Sequence, residues 1–188
     1  MNQESRASSD FSEFEGMTFG RILDRIVSEA PRKEMIVFKG ERMTYGQFHE
    51  KVKQLAMGLK RLGVKKGDRV AALFPNCPDF FLVQQATLYI GGVFVLLSTR
   101  YREYELHYML KHSEARCLFM VGEYLKTRFT DILEKIRPEL PHLEFCFVAG
   151  DHIPSWCRPY QEALDLGKDM DEGMLREDPP EYEDVASI

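Results

Sequence analysis

Between residues 69 and 150, short apolar runs alternate with longer amphipathic segments. The apolar runs are RVAALF, VFVLL, RCLFMV and LEFCFVAG, and turn-forming residues bound them. Runs of this length that are apolar on both faces are typical of strands buried inside a parallel sheet. Strands that alternate with helices of roughly ten to twenty residues predict βαβ units. The expected fold class is therefore α/β, a mostly parallel sheet with helices on both faces.

Two elements are expected ahead of this sheet. The stretch MTFGRILDRIVSEAP predicts a helix that Thr18 caps and Pro31 ends. Its apolar residues share one face: Phe19, Ile22, Ile26 and Val27. The stretch EMIVFKGERMTY predicts a β-hairpin, with residues 39–42 as its turn.

Four further helices are expected along the chain. YGQFHEKVKQLAMGLKRLG has apolar residues at three- and four-residue spacing, and Gly63 is its expected end. PDFFLVQQATLYIG begins with Pro78 in its first turn. REYELHYMLKHS and YLKTRFTDILEKIRPEL complete the set, and the last of these ends near Pro138. After Gly150 the pattern weakens, and at most one short helix is expected.

The uncharged segment Phe80–Ser98 has about the length of a bilayer span. However, polar residues interrupt its first half and Gly91-Gly92 divides it. A buried helix followed by a buried strand accounts for the whole run, so no transmembrane span is expected.

The acidic charge is concentrated at the carboxyl end of the chain. The net charge is -5, and residues 169–188 contain eight acidic residues against Arg176 alone. Without a basic cluster elsewhere, no nucleic-acid partner is expected. We expect a flexible N-terminus at 1–16, an α/β body at 17–167, and an acidic linker with a strand at 168–188. Within that last part, Glu183–Ile188 has the pattern of a buried strand's beginning.

The four cysteines form no CxxC pair and have no regular spacing. This usage is typical of small buried side chains in a reducing compartment. Residues 1–10 are polar and contain no apolar signal core. The expected location is the cytoplasm.

Motifs for chemistry are sparse. No GxGxxG or GxxxxGK[ST] follows a strand, which argues against a generic flavodoxin-like nucleotide binder. Asn76 is expected to cap the helix after it, with a ligand contact as the alternative. The five histidines are isolated, and Glu103 and Glu105 are expected to interact with a helix dipole. From the residues alone, no catalytic, cofactor-binding or metal-binding residue is assigned.

The order and spacing of several short motifs resemble one known family. The landmarks are Met43-Thr44-Tyr45, the turn GVKKGDRV at 63–70, Pro75-Asn76-x-Pro78 and Gly91-Gly92. The stretch STRYREYELHYMLKHSEARCLF continues the likeness. Together they resemble the opening of the adenylate-forming acid–CoA ligases, the AMP-binding synthetase superfamily, over 19–150 and again over 183–188. One departure is Leu96–Arg100, where many relatives have prolines, so Arg100 stays open between a structural charge and a nucleotide or coenzyme A contact.

The resemblance implies a two-step reaction that uses ATP, Mg²⁺ and coenzyme A. A carboxylate attacks the α-phosphorus of ATP to give an acyl-adenylate and pyrophosphate, and the thiol of coenzyme A then displaces AMP. In this family, the strand matched by Asp184–Ile188 comes directly before the phosphate loop. The other catalytic groups follow that loop, so the chain resembles the N-terminal part of a ligase and is expected to be inactive alone.

Three further expectations go with this resemblance. The substrate would be a carboxylic acid, with a medium- or long-chain fatty acid favoured over aromatic or alicyclic acids. The alternative function is a truncated, ligase-like binding or regulatory protein without catalysis. In either case, an exposed sheet edge and apolar surface are expected to favour self-association.

Overall fold

The computed structural model describes residues 12–169 and 171–188. The strands are β1 Glu34–Phe38, β2 Glu41–Thr44, β3 Arg69–Leu73, β4 Val93–Leu97, β5 Cys117–Val121, β6 Glu123–Tyr124, β7 Thr127–Arg128, β8 Phe145–Ala149 and β9 Arg158–Pro159. The α-helices are α1 Phe19–Glu29, α2 Tyr45–Arg61, α3 Pro78–Tyr89, α4 Glu103–Ser113, α5 Phe129–Ile136 and α6 Tyr160–Asp165. Short 3₁₀ helices lie at Ser12–Phe14, Arg137–Glu139 and Glu172–Arg176.

The predicted parallel sheet is confirmed. Five strands pair in the order β4-β3-β5-β8-β9, and every pairing among them is parallel. The chain therefore runs from β3 outward to β4 and crosses back to β5 on the other side. Such a reversal of direction is where ligands bind in open α/β sheets, outside the carboxyl ends of the strands.

The carboxyl-terminal segment pairs with the outer edge of β4. The amide of Phe94 donates to the carbonyl of Ala186 at 2.9 Å, and the amide of Ile188 donates to the carbonyl of Phe94 at 3.0 Å. The strand predicted at Glu183–Ile188 is thus present as a parallel bridge between Phe94 and Ser187. It is shorter than predicted because residues 181–184 form a turn, in which Asp184 accepts from the Glu181 amide at 2.6 Å.

Helices cover both faces of the sheet, as the sequence predicted. Helices α2, α3 and α6 pack on one face with the buried residues Val70, Phe119 and Phe147. Helices α4 and α5 cover the other face, and their core contains Leu106, Leu110, Leu133 and the side chains that β3, β4 and β5 turn toward them. No helix in the described part of the chain is both long and apolar enough to cross a bilayer.

The elements ahead of the sheet follow the prediction with two corrections. Thr18 caps α1 by accepting from the Arg21 amide at 3.4 Å. Phe19, however, is half exposed, because Gly20 and Leu23 are the residues that α1 buries. The hairpin turn consists of residues 39–40 alone, both at positive φ, so Glu41 and Arg42 already belong to β2.

The N-terminus was predicted to be flexible over 1–16. Residues 1–11 lie outside the described residues. The remainder includes the 3₁₀ helix Ser12–Phe14, which Arg25 fixes through an ion pair with Glu13 at 2.5 Å.

A reciprocal pair of hydrogen bonds starts α2. The Thr44 hydroxyl accepts from the Gln47 amide at 3.2 Å, and the Gln47 side-chain oxygen accepts from the Thr44 amide at 2.9 Å. This capping box satisfies two backbone donors that a helix start otherwise leaves to water.

Replacing Thr44 with alanine is expected to lower the free energy of unfolding by about 1 kcal/mol. Chemical denaturation would measure the change, with Thr44→Ser as the matched control because serine keeps the acceptor oxygen. Equal stabilities of the alanine and serine variants would contradict this role for the hydroxyl.

The region after Gly150 is more ordered than its sequence pattern indicated. It forms β9 and α6, and α6 packs on α2. Gln54 donates through its side-chain nitrogen to the Leu164 carbonyl at 3.0 Å. The acidic tail also docks on α2, because Lys53 pairs with Glu172 at 2.9 Å and Lys60 donates to the Glu177 carbonyl at 2.8 Å.

Candidate functional site

A cleft of about 700 Å³ opens at the carboxyl ends of β3, β4 and β5. Three connections build it: the β3–α3 corner, the β4–α4 loop and the β6–β7 hairpin. The lining residues are Phe74, Pro75, Asn76, Phe80, Leu96, Leu97, Ser98, Thr99, Arg100, Arg102, Tyr124, Leu125 and Thr127. The cleft thus lies where the chain reverses direction across the sheet, which is the expected position for a ligand site.

At the β3–α3 corner, the prediction that Asn76 caps α3 is wrong. The helix begins at Pro78 with Cys77 at the cap position, one residue later than a cap at Asn76 requires. The Asn76 side chain is exposed and makes no hydrogen bond to any residue within 12–169 or 171–188. Its amide is therefore free to bind a ligand in the cleft.

The β4–α4 loop contributes one satisfied arginine and one free arginine. Arg102 donates to the carbonyls of Thr99, Arg100 and Tyr101 at 3.2, 3.0 and 2.8 Å, so it folds the loop around its own guanidinium group. Ser98 accepts from the Arg100 amide at 3.2 Å. The guanidinium group of Arg100 has no partner among the described residues and is exposed in the cleft.

The third wall is the β6–β7 hairpin, in a region where the sequence pattern predicted a helix. The helix predicted from Tyr124 onward begins at Phe129 instead. Leu125 and Lys126 form the hairpin turn with φ values of 45° and 65°, a conformation that glycine or asparagine usually supplies. No such residue marks the turn in the sequence, so there was no local signal. The side chain of Leu125 is 79% exposed at the cleft rim.

Behind the corner, Asp79 lies in the first turn of α3. Burial raises the pKa of its carboxyl group above the usual range, and the neighbouring Tyr160 hydroxyl offsets part of this increase. The folded chain therefore holds the Asp79 proton more tightly than the unfolded chain does. Such a group contributes stability at low pH that is lost as the pH rises through its folded-state pKa.

The variant Asp79→Asn is expected to gain stability relative to the parent chain as the pH rises above about 4, since asparagine carries no charge to bury. Urea denaturation of both proteins between about pH 3 and pH 7 would measure the difference. A control is Asp165→Asn, because the pKa of the exposed Asp165 is lowered through hydrogen bonds to Lys168 and Gln161. That variant should lose stability relative to the parent as the pH rises. A pH-independent difference for Asp79→Asn would contradict the account.

Four of the five histidines contact a carboxylate or an aromatic ring in the described structure. His49 contacts Asp24 at 2.7 Å, and His107 contacts Glu139 at 3.1 Å, and neither histidine lines the cleft. No group of three His, Cys, Asp or Glu side chains among the described residues could hold a metal ion. The Glu105 carboxylate accepts from the Arg102 amide at 3.0 Å, in agreement with its predicted place at a helix start.

The cleft lining offers side chains that can bind an anion. It offers the Arg100 guanidinium group, the Asn76 amide and the hydroxyl groups of Ser98 and Thr99. Among the described residues, the lining includes no carboxylate and no histidine. It therefore lacks the carboxylates through which proteins usually hold Mg²⁺, and it lacks the side chains that most often act as general bases.

Known proteins match both the sequence and this architecture. A protein named as the acyl-CoA synthetase YngI of Bacillus subtilis is 38% identical over 125 residues, which are 65% of this chain and 23% of that protein. The mitochondrial medium-chain acyl-CoA ligase ACSF2 of Bos taurus is 34% identical over 139 residues, which are 73% of this chain and 23% of the ligase.

Two solved structures show the same fold. The anthranilate CoA ligase AuaEII, in complex with anthranoyl-AMP, superposes with a TM-score of 0.73 at 24% identity, over 80% of this chain and 28% of the ligase. A long-chain-fatty-acid-CoA ligase (FadD1) from Archaeoglobus fulgidus gives a TM-score of 0.71 at 25% identity, over 92% of this chain and 34% of the other.

The chain spans 23% of the length of the two curated relatives compared above. The family model described as AMP-binding enzyme matches residues 23–188. This match covers most of the chain and includes every strand of the central sheet. The resemblance seen in the sequence is thereby confirmed: the chain belongs to the AMP-binding enzyme family.

Proposed function

We propose that this chain forms the first α/β subdomain of an ATP-dependent, AMP-forming carboxylic acid–CoA ligase. Residues 17–167 form the body, and residues 168–188 form an acidic linker and the strand that leads to the phosphate loop. The carrying observation is the parallel pairing of residues 186–188 with β4. A parallel segment ends at the same side of the sheet as its neighbours, so its carboxyl end lies beside the cleft.

This placement explains how the family's phosphate loop would meet the cleft. The amide of Leu96 approaches the carbonyl of Ile188 at 3.4 Å, and Leu96 lines the cleft. A loop that follows residue 188 would therefore start next to the β4–α4 loop. Arg100 would then be available to an anionic group of ATP or coenzyme A that the two loops share.

In the proposed reaction, ATP and Mg²⁺ activate the carboxylic acid as an acyl-adenylate, and coenzyme A accepts the acyl group. Charge stabilisation at the attacked α-phosphate, as pyrophosphate leaves, needs a phosphate loop and a metal site. The 188 residues contain no glycine-rich phosphate motif, and the described residues offer no metal-binding cluster. The role of this chain is to position anionic ligands in the cleft.

The chain alone is expected to release no pyrophosphate from ATP above the rate without protein, whether or not a fatty acid is added. A coupled pyrophosphate assay on the purified chain would measure this rate, and a full-length acyl-CoA ligase is the positive control. Pyrophosphate release by the 188 residues alone that depends on the added fatty acid would contradict the proposal.

The alternative is a ligase-like binding or regulatory protein that does not catalyse. One observation favours this alternative: the described lining of the cleft has anion-binding groups but no acidic side chain. Mixing the chain with a separately produced carboxyl-terminal part of a relative distinguishes the two functions. Restored pyrophosphate release supports the ligase, whereas coenzyme A binding without turnover supports the alternative.

We also propose a class of substrate and a cellular location. A medium- or long-chain fatty acid is the favoured substrate, because the names of YngI, ACSF2 and FadD1 describe acyl-CoA or fatty-acid ligases. The AuaEII name keeps aromatic acids as a rival. A cytoplasmic location is favoured by four cysteines that are all free, although the relative ACSF2 is mitochondrial by name.

Self-association through the sheet edge is also part of the proposal. Leu96, Val185 and Ile188 lie on β4 and on the segment paired with it, and they are 53%, 60% and 57% exposed. Residues 186–188 cover β4 and form the outer edge of the sheet, and exposed apolar side chains beside such an edge favour association with other chains. Light scattering that shows a non-associating chain at high concentration would contradict this part.

A further inference from the structure

The solvent face of α4 carries two exposed tyrosines. Tyr104 is 78% exposed and Tyr108 is 51% exposed. The residues that α4 buries are Leu106, Leu110 and Ser113. At about 100° per residue, both tyrosines lie almost opposite this buried face. Aromatic side chains in such a position contribute nothing to the core of this chain, and they are enriched in protein interfaces.

The charged residues around the tyrosines form a self-complementary pattern. On a helix, Glu105 and His112 lie within about 60° of Tyr108 on one flank, and Tyr104 and Lys111 lie within about 60° of it on the other. Glu105 and Lys111 are each three residues from Tyr108, and Tyr104 and His112 are each four residues from it. If two such helices pack antiparallel about a twofold axis beside Tyr108, each flank of one helix meets the same flank of the other. Glu105 then faces His112, and Tyr104 faces Lys111.

The side chains on these flanks can make such contacts, although Glu105 already accepts from the Arg102 amide through Oε2 at 3.0 Å, so a partner would bind its Oε1. Lys111 and Tyr104 have no partner among the described residues. His112 only stacks against Tyr108, with ring centroids 4.3 Å apart. Two other charged residues of α4 are already paired toward α5, since Glu103 contacts Lys135 at 3.5 Å and His107 contacts Glu139 at 3.1 Å.

We propose that the α4 face is the interface of a twofold dimer of this chain, in which two α4 helices pack antiparallel. Tyr108 meets its symmetry copy at the axis. Glu105 faces His112 of the second copy, and Tyr104 stacks with Lys111 of the second copy in a cation–π contact. Each contact occurs twice because the interface is isologous.

The size of this surface sets the strength of the dimer. A single helix pair of 11 residues buries less than the roughly 1,200 Å² of a standard interface, so association is weak and depends on concentration. The dimer also differs from association through the β4 edge, because a twofold interface closes at two copies, whereas edge pairing continues.

Sedimentation equilibrium between about 5 and 500 μM tests the proposal, and a monomer–dimer step is expected whether or not larger species formed through the sheet edge follow it. Tyr108→Arg places two guanidinium groups at the axis and is expected to remove this dimer step throughout the range. His112→Glu sets two carboxylates against each other and is expected to weaken the dimer at least about tenfold. Tyr182→Arg is the matched control, since Tyr182 is a 59% exposed tyrosine outside α4. The dissociation constant of this variant's dimer should stay within about twofold of the parent's.

Circular dichroism would verify that each variant is folded, and all three positions are exposed. A parent chain that stays monomeric at every concentration would overturn the proposal. So would a Tyr108→Arg variant that dimerises as the parent does.

Discussion

Replacing Gly58 or Gly167 with alanine is expected to lower the free energy of unfolding by about 3 kcal/mol or more. A Cβ atom on Gly58 would collide with the carbonyl oxygen of Ala163, far inside the 3.0 Å limit of normal contacts. A Cβ on Gly167 would collide with the Gln54 carbonyl and would lie 2.9 Å from the Gly58 amide nitrogen. Because backbone atoms form these contacts on both sides, neither clash can be relieved by a side-chain rotation.

Thermal unfolding would measure the effect, and for a chain of this size the expected decrease in Tm is about 6–12 °C. Gly20→Ala is the matched control, since Gly20 is also a helix glycine and its nearest neighbour is the Tyr89 ring at 3.2 Å. The control should change the free energy of unfolding by less than about 1 kcal/mol. A Gly58→Ala variant as stable as the parent would show that α2 and α6 do not approach as closely as described.

A comparable loss is expected for Phe119→Ala. Phe119 lies in the middle of β5 and is fully buried. Its ring stacks on Phe147 with centroids 4.8 Å apart and meets Tyr160 edge to face at 6.0 Å. Removing it deletes these contacts and leaves a cavity between the sheet and α6, which typically costs about 3–5 kcal/mol.

Urea denaturation would measure this loss. Phe81→Ala is the control because Phe81 is 46% exposed on α3, and its loss should stay below about 1 kcal/mol. Similar destabilisation by the two variants would contradict the assignment of Phe119 to the centre of the core.

The main elements could be predicted because their signals are local. Buried strands and amphipathic helices are encoded in runs of adjacent residues, and Thr18, Gly63 and Pro78 mark helix ends through their own side chains or backbone freedom. These interactions span only a few residues, so a single sequence reveals them.

The position of the cleft follows from the general rule for open α/β sheets, but its details depend on tertiary contacts. The β6–β7 hairpin bends at Leu125 and Lys126, whose identities do not mark a turn. Whether an arginine is satisfied or free depends on the loop around it, as Arg100 and Arg102 show. Likewise, the requirement for glycine at 58 and 167 arises where two distant segments cross.

The central claim is that this chain supplies the cleft-bearing first subdomain of an acid–CoA ligase. The most direct measurement is fatty-acid-dependent pyrophosphate release by two proteins, the 188-residue chain and a fusion that continues past Ile188 with the matching part of a relative. The account predicts release by the fusion and none by the chain alone. Fatty-acid-dependent pyrophosphate release by the chain alone would contradict it. So would a folded fusion that binds ATP without releasing pyrophosphate.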